Sequence, residues 1–88
     1  MSKIYIIGSG GHAKSIASAI LSNRDEEFEF VDDLNKNKIF SKKILSFNEF
    51  INAAKETVKV VIGYGNNYKR EEIYRNHAKG DNYLWLIF

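Results

Sequence analysis

Eighty-eight residues, 44% hydrophobic and 27% charged, provide one small globular core, because ordinary domains run to ~100–150 residues; the composition also excludes disorder and collagen-like repeats. Thirteen Lys and Arg against eleven Asp and Glu leave a net charge of +2, too weak a field to imply nucleic acid or an anionic membrane as partner. Cysteine is absent, which removes disulfides, thiolate metal sites and a thiol nucleophile. The two histidines, His12 and His77, stand far apart with no carboxylate set at ligand spacing, so no metal site is expected. The N-terminal apolar run Ile4 to Ile7 is too short for a signal peptide or a membrane span, and the chain is expected to be soluble and cytoplasmic.

Lys3 to Ile7 is an apolar, β-branched run that stops at a glycine cluster, the pattern of a strand buried on both faces. From Ala13, the residues Ile16, Ala17 and Ile20 recur at helical offsets and predict a helix ending near Asn23. Phe28, Phe30 and Val31 predict a second strand running into Asp32 and Asp33, followed by a polar surface turn from Asn35 to Lys38. Ser46 and Glu49 fit a capping box, and Phe47, Phe50, Ile51 and Ala54 follow with helical spacing. Val58 to Ile62 repeats the β-branched run that ends in glycine. Asn67 is placed to cap a third helix through about Ala78, with Glu71 and Arg75 as an i,i+4 pair. Gly80, Asp81 and Asn82 end that helix, and Tyr83 to Phe88 forms a last strand.

Strands alternating with helices predict an α/β domain over residues 1–88: a small Rossmann-like, doubly wound parallel sheet with helices on both faces. Numbering the four long strands in chain order, the expected arrangement is 2-1-3-4. It reverses direction beside the first strand and opens a crevice between Ser9 to Gly11 and Gly63 to Asn67.

Gly8, Ser9, Gly10, Gly11, His12 and Ala13 join strand to helix and satisfy the GxGxxA variant of the dinucleotide fingerprint. Gly10 and Gly11 let backbone N–H groups approach a phosphate where the helix N-terminus adds partial positive charge. The same residues also serve as a plain strand-to-helix turn. Asp32, nineteen residues after Ala13, is placed to accept from a ribose or a base edge, although Asp32 and Asp33 also suit the start of a turn. His12 is a candidate to donate to a phosphate or sugar, and no residue is assigned a catalytic role. The second glycine loop, Gly63 to Asn67, reads equally as a ligand wall or a helix start. Lys36, Lys38, Lys42 and Lys43 read as a solvated basic face rather than a ligand site.

The run KIYIIGSGGHAK, then FVDD, then VIGYGNN followed by KREEIY, resembles the N-terminal domain of bacterial sugar acyltransferases of the PglD and NeuD type over nearly the whole chain. The resemblance implies that this domain binds a UDP-linked amino sugar or related nucleotide sugar. Gly10, Gly11 and His12 would meet the diphosphate and sugar, Asp32 and Asp33 the uridine, and Gly65 with Asn66 the remaining wall. In that family a following hexapeptide-repeat domain binds acetyl-CoA and supplies the catalytic histidine. No such pattern follows Leu86 here, so neither a cofactor site nor acetyl transfer is expected of this chain alone. Two alternatives stay open: a small NAD(P)-binding module, which shares the glycine turn and the acid, and a non-binding assembly or regulatory domain. Trp85 and Phe88 concentrate apolar surface in the last strand and suggest a homo-oligomer formed through it.

Overall fold

A computed structural model describes residues 3–23, 27–34, 38–40, 42–53, 58–77 and 83–86. Five strands, β1 (Lys3–Ile7), β2 (Glu27–Val31), β3 (Ile44–Leu45), β4 (Val58–Ile62) and β5 (Tyr83–Leu86), alternate with three helices, α1 (Gly11–Asn23), α2 (Phe47–Ala53) and α3 (Asn67–His77). The sheet is ordered β3-β2-β1-β4-β5 and every pairing in it is parallel. The four long strands therefore stand in the expected order. The two-residue β3 is added at one edge, too short to show as a period in sequence.

Pleating sends successive side chains of β1 to opposite faces and divides the core in two. Ile4 and Ile6 join Ile16, Ala17 and Ile20 of α1, together with Phe28 and Phe30 of β2. Tyr5 and Ile7 join Phe50 of α2 and Ile73 of α3, together with Val31 and Val60. Helices thus cover both faces, and a central strand paired on each side has its backbone groups satisfied while its side chains stay dry. Each fully buried side chain of this size contributes about 1.5–3 kcal/mol.

The connection from β2 to β3 contains no helix among its described residues. Ile39 and Lys42 instead exchange backbone hydrogen bonds of 3.1 and 2.9 Å across an antiparallel bridge, and buried Ile39 joins the α1-side core. Phe40 at the bridge has a positive φ of 52°, costly for an aromatic residue, and its ring stacks on Phe30 at 6.2 Å and meets Phe28 edge-on. The bridge begins just after the polar turn expected at Asn35 to Lys38, of which only Lys38 lies among the described residues. Lys42 lies over the Phe28 ring and Lys43 pairs with Glu49 at 2.8 Å, so both lysines are fold contacts.

The capping box of α2 forms as expected. Glu49 N–H donates to Ser46 Oγ at 3.1 Å and Ser46 N–H donates to Glu49 Oε1 at 2.9 Å. The cap of α3 is shifted by one residue, because Lys69 N–H donates to Asn66 Oδ1 and Arg70 N–H to the Asn66 carbonyl. Two adjacent asparagines qualified by type, and the helix starts after the first. Lys36, Ala54, the Gly80 to Asn82 helix stop and Phe88 lie outside the described residues, as does the side chain of Trp85.

Candidate functional site

β1, β2 and β4 end level: Ile7 pairs with Val31 on one side and with Ile62 on the other. Gly8, Asp32 and Gly63 consequently leave the sheet side by side, with Gly8 N–H donating to the Val31 carbonyl and Gly63 N–H to the Ile7 carbonyl, both at 2.7 Å. The chain leaves β1 for α1 on one face and β4 for α3 on the other. This divergence creates the crevice at the carboxyl ends of a doubly wound sheet.

Two of the glycines here are required by packing. Gly8 has φ +114°, and a Cβ on it would lie 3.1 Å from the Tyr64 ring; a Cβ on Gly63 would meet Ala13 Cβ at 2.8 Å and Ile6 at 2.9 Å. The small residue at Ala13, the last position of the GxGxxA run, lets the first turn of α1 come this close to the end of β4. Gly10, Gly11 and Gly65 differ in kind: no atom lies within 4 Å of a Cβ placed on any of them. The first α1 hydrogen bond runs from Lys14 N–H to the Gly10 carbonyl, and Gly10, Gly11 and His12 stand exposed at this N-terminus.

Asp32 is only 8% exposed. Ser9 Oγ donates to its Oδ2 at 2.6 Å and Leu34 N–H donates to its Oδ1 at 2.9 Å. A carboxylate oxygen accepts more than one hydrogen bond, so a ligand and these partners need not exclude each other. Asp33 is exposed, and its Oδ1 accepts from Phe47 N–H at the start of α2, also at 2.9 Å. Both acids therefore hold loops, which is the turn role left open in the sequence, and both also line a cleft of about 250 Å³.

The opposite wall of that cleft is α3, through Lys69, Glu72, Ile73 and Asn76, and Tyr64 completes it. A second cleft, of about 440 Å³, shares Tyr64, Lys69 and Glu72 and reaches Asn66 and Tyr68. Burial, then the charges of Asp32 and Asp33, raise the Tyr64 phenol above its usual pKa of 10.0. Lys69 Nζ stands 5.8 Å from the Tyr64 ring centroid and 3.7 Å from Glu72.

The expected site residues thus fall in two groups. Asp32 and Asp33 line the smaller cleft and Asn66 the larger, whereas Gly10, Gly11, His12 and Gly65 stand exposed and line neither. Ser9 is the link, since its hydroxyl ties the glycine turn to Asp32. The sequence reading includes Tyr64 only as part of the Gly63 to Asn67 loop, without a role of its own, and omits Lys69. A tyrosine set between two loop glycines was the signal for the first, and nothing in the spacing marked the second. Among the described residues no group of three His, Cys, Asp or Glu is placed to hold a metal, and no helix is long and apolar enough to cross a membrane.

No curated protein and no solved structure gives a significant match. A family model described as the PglD N-terminal domain matches residues 3–77. That span runs from the first residue of β1 to the last of α3 and includes every residue of the crevice. The chain therefore belongs to the PglD N-terminal domain family, a sugar acetyltransferase-type N-terminal domain.

Proposed function

We propose that the crevice binds a UDP-linked amino sugar or a related nucleotide sugar and presents it for glycan biosynthesis in the cytoplasm. The diphosphate lies against Gly10, Gly11 and His12, the uridine end lies toward Asp32 and Asp33, and Gly65 with Asn66 forms the remaining wall. The observation that carries this reading is the 2.6 Å hydrogen bond from Ser9 to Asp32. It locks the glycine turn to the acid at the end of β2, so the two groups that nucleotide recognition needs are held in one frame. The open space over Gly10 and Gly11 leaves the first α1 N–H groups accessible to an anion.

The same pair of features suits a nicotinamide dinucleotide, and calorimetric titration separates the two. UDP and a UDP-amino sugar are expected to bind more tightly than NAD. Binding of NAD without binding of UDP at millimolar concentration would transfer the site to the dinucleotide class. Heat from neither ligand would leave an assembly or regulatory domain.

A further inference from the structure

Among the described residues, the two clefts beside Tyr64 are lined by the carboxylates Asp32, Asp33 and Glu72 and by one cation, Lys69. Three carboxylates facing one ammonium repel a diphosphate, while they accept hydrogen bonds from ring N–H groups and ribose hydroxyls. The Cε2–Cζ edge of the Tyr64 ring lies close to Gly8. The ring packs in part against the Ile73-side core, yet Tyr64 also lines both clefts, and the Lys69 ammonium, on a flexible side chain, stands over it at 5.8 Å. A half-buried aromatic ring flanked by carboxylate acceptors, the Lys69 ammonium and the amides of Asn66 and Asn76 suits a flat, neutral heterocycle, because every base offers a π face.

We propose that Tyr64 is a specificity-determining residue on which the nucleobase stacks, and that Lys69 moves off the ring to donate to a carbonyl of that base. This inference rests on the nucleotide-sugar reading and extends it to the α3 side of the crevice. The charges then fix the direction of the ligand: its base enters the acidic cleft and its diphosphate stays at the α1 N-terminus.

The test is titration of the full chain and its variants with UDP, uridine and inorganic pyrophosphate. Tyr64→Leu keeps apolar volume beside Gly8 and removes the π face. It is expected to weaken UDP and uridine by about ten- to a hundredfold and to leave pyrophosphate within about twofold, whereas Tyr64→Phe retains UDP affinity. In the parent, the uracil H5 and H6 proton resonances of bound UDP are expected to move upfield under the ring current, and in Tyr64→Leu they do not. Unchanged UDP affinity in a folded Tyr64→Leu overturns the inference and leaves the nucleotide-sugar reading standing. Equal losses for UDP and pyrophosphate also overturn it, since they mark a general loss of site structure. Should Tyr64→Leu not fold, the parent's uracil shifts decide alone, and their absence overturns stacking. A parent that binds no UDP at all sinks both readings together.

Discussion

A Cβ at Gly63 would lie 2.8 Å from Ala13 and 2.9 Å from Ile6, whereas one at Gly11 would touch nothing within 4 Å. The core therefore requires a glycine at 63 and leaves 11 unconstrained, and in the proposed reading Gly11 serves the approach of the ligand to α1. Gly63→Ala is expected to destabilise the fold by about 1–3 kcal/mol through overpacking, read from a denaturant midpoint. Gly11→Ala should be neutral or stabilise by up to about 1 kcal/mol, because alanine suits a helical position, yet it should weaken UDP binding measured in parallel. Equal stability losses in the two variants would contradict the distinction. Tyr64 titrates above 10 because burial disfavours the phenolate and Asp32 and Asp33 repel it. Its contribution to stability is whole below pH 10 and is lost as the pH rises through the folded pKa. Asp33→Asn should bring that pKa down, observed as the ultraviolet titration difference between each protein and its Tyr64→Phe counterpart. An unmoved titration would mean that burial and Asp32 set it without Asp33.

α2 is only seven residues long, too short to persist by propensity. Phe50, 1% exposed and 4.9 Å from the Tyr5 ring centroid, anchors it to the sheet. Phe50→Ala is therefore expected to cost about 3–5 kcal/mol, a large share of the ~5–15 kcal/mol that holds a domain, visible as a lowered melting temperature. At its N-terminus, the Lys43 ammonium and the Ser46 N–H hold the Glu49 carboxyl at a pKa of about 2, against an ordinary 4.5. The stability from Glu49 is thus complete above pH 4.5 and is lost as the pH falls toward 2. Because Glu49 is exposed, solvent screens the effect and it stays small. The melting difference between parent and Glu49→Gln should close over that acid window, and a constant difference would refute the linkage. This capping box was legible in the sequence because its chemistry is local, as were β1, β2, β4 and the stripe of α1. β3 and the Ile39 bridge were not, since two-residue pairings depend on which neighbour the chain returns to and leave no period. For the same reason Asp32 and the glycine turn could be named, while Lys69 reaches the site only through the packing of α3.

For the whole molecule, the order β3-β2-β1-β4-β5 places the switch point between β1 and β4, and three level strand ends turn two sequence-distant glycine loops and an acid into one crevice. A net charge of +2 does not select a ligand; in the proposed reading the local contrast between the open α1 N-terminus and the acidic α3 cleft does. β5 closes the sheet at one edge, with Leu84 half exposed, and edge pairing between copies is a route to dimers. Sedimentation is expected to show concentration-dependent association that weakens when Trp85 and Phe88 are replaced by polar residues, and a monomer at high micromolar concentration would remove that expectation. The crevice itself is tested most directly by backbone amide chemical shifts during titration with UDP. The largest changes are expected on Ser9 to His12, Asp32 to Leu34 and Gly63 to Asn66 together. Changes concentrated at the other end of the sheet, around Glu27, Val58 and Tyr83, or no changes at all at saturating UDP, would contradict the account.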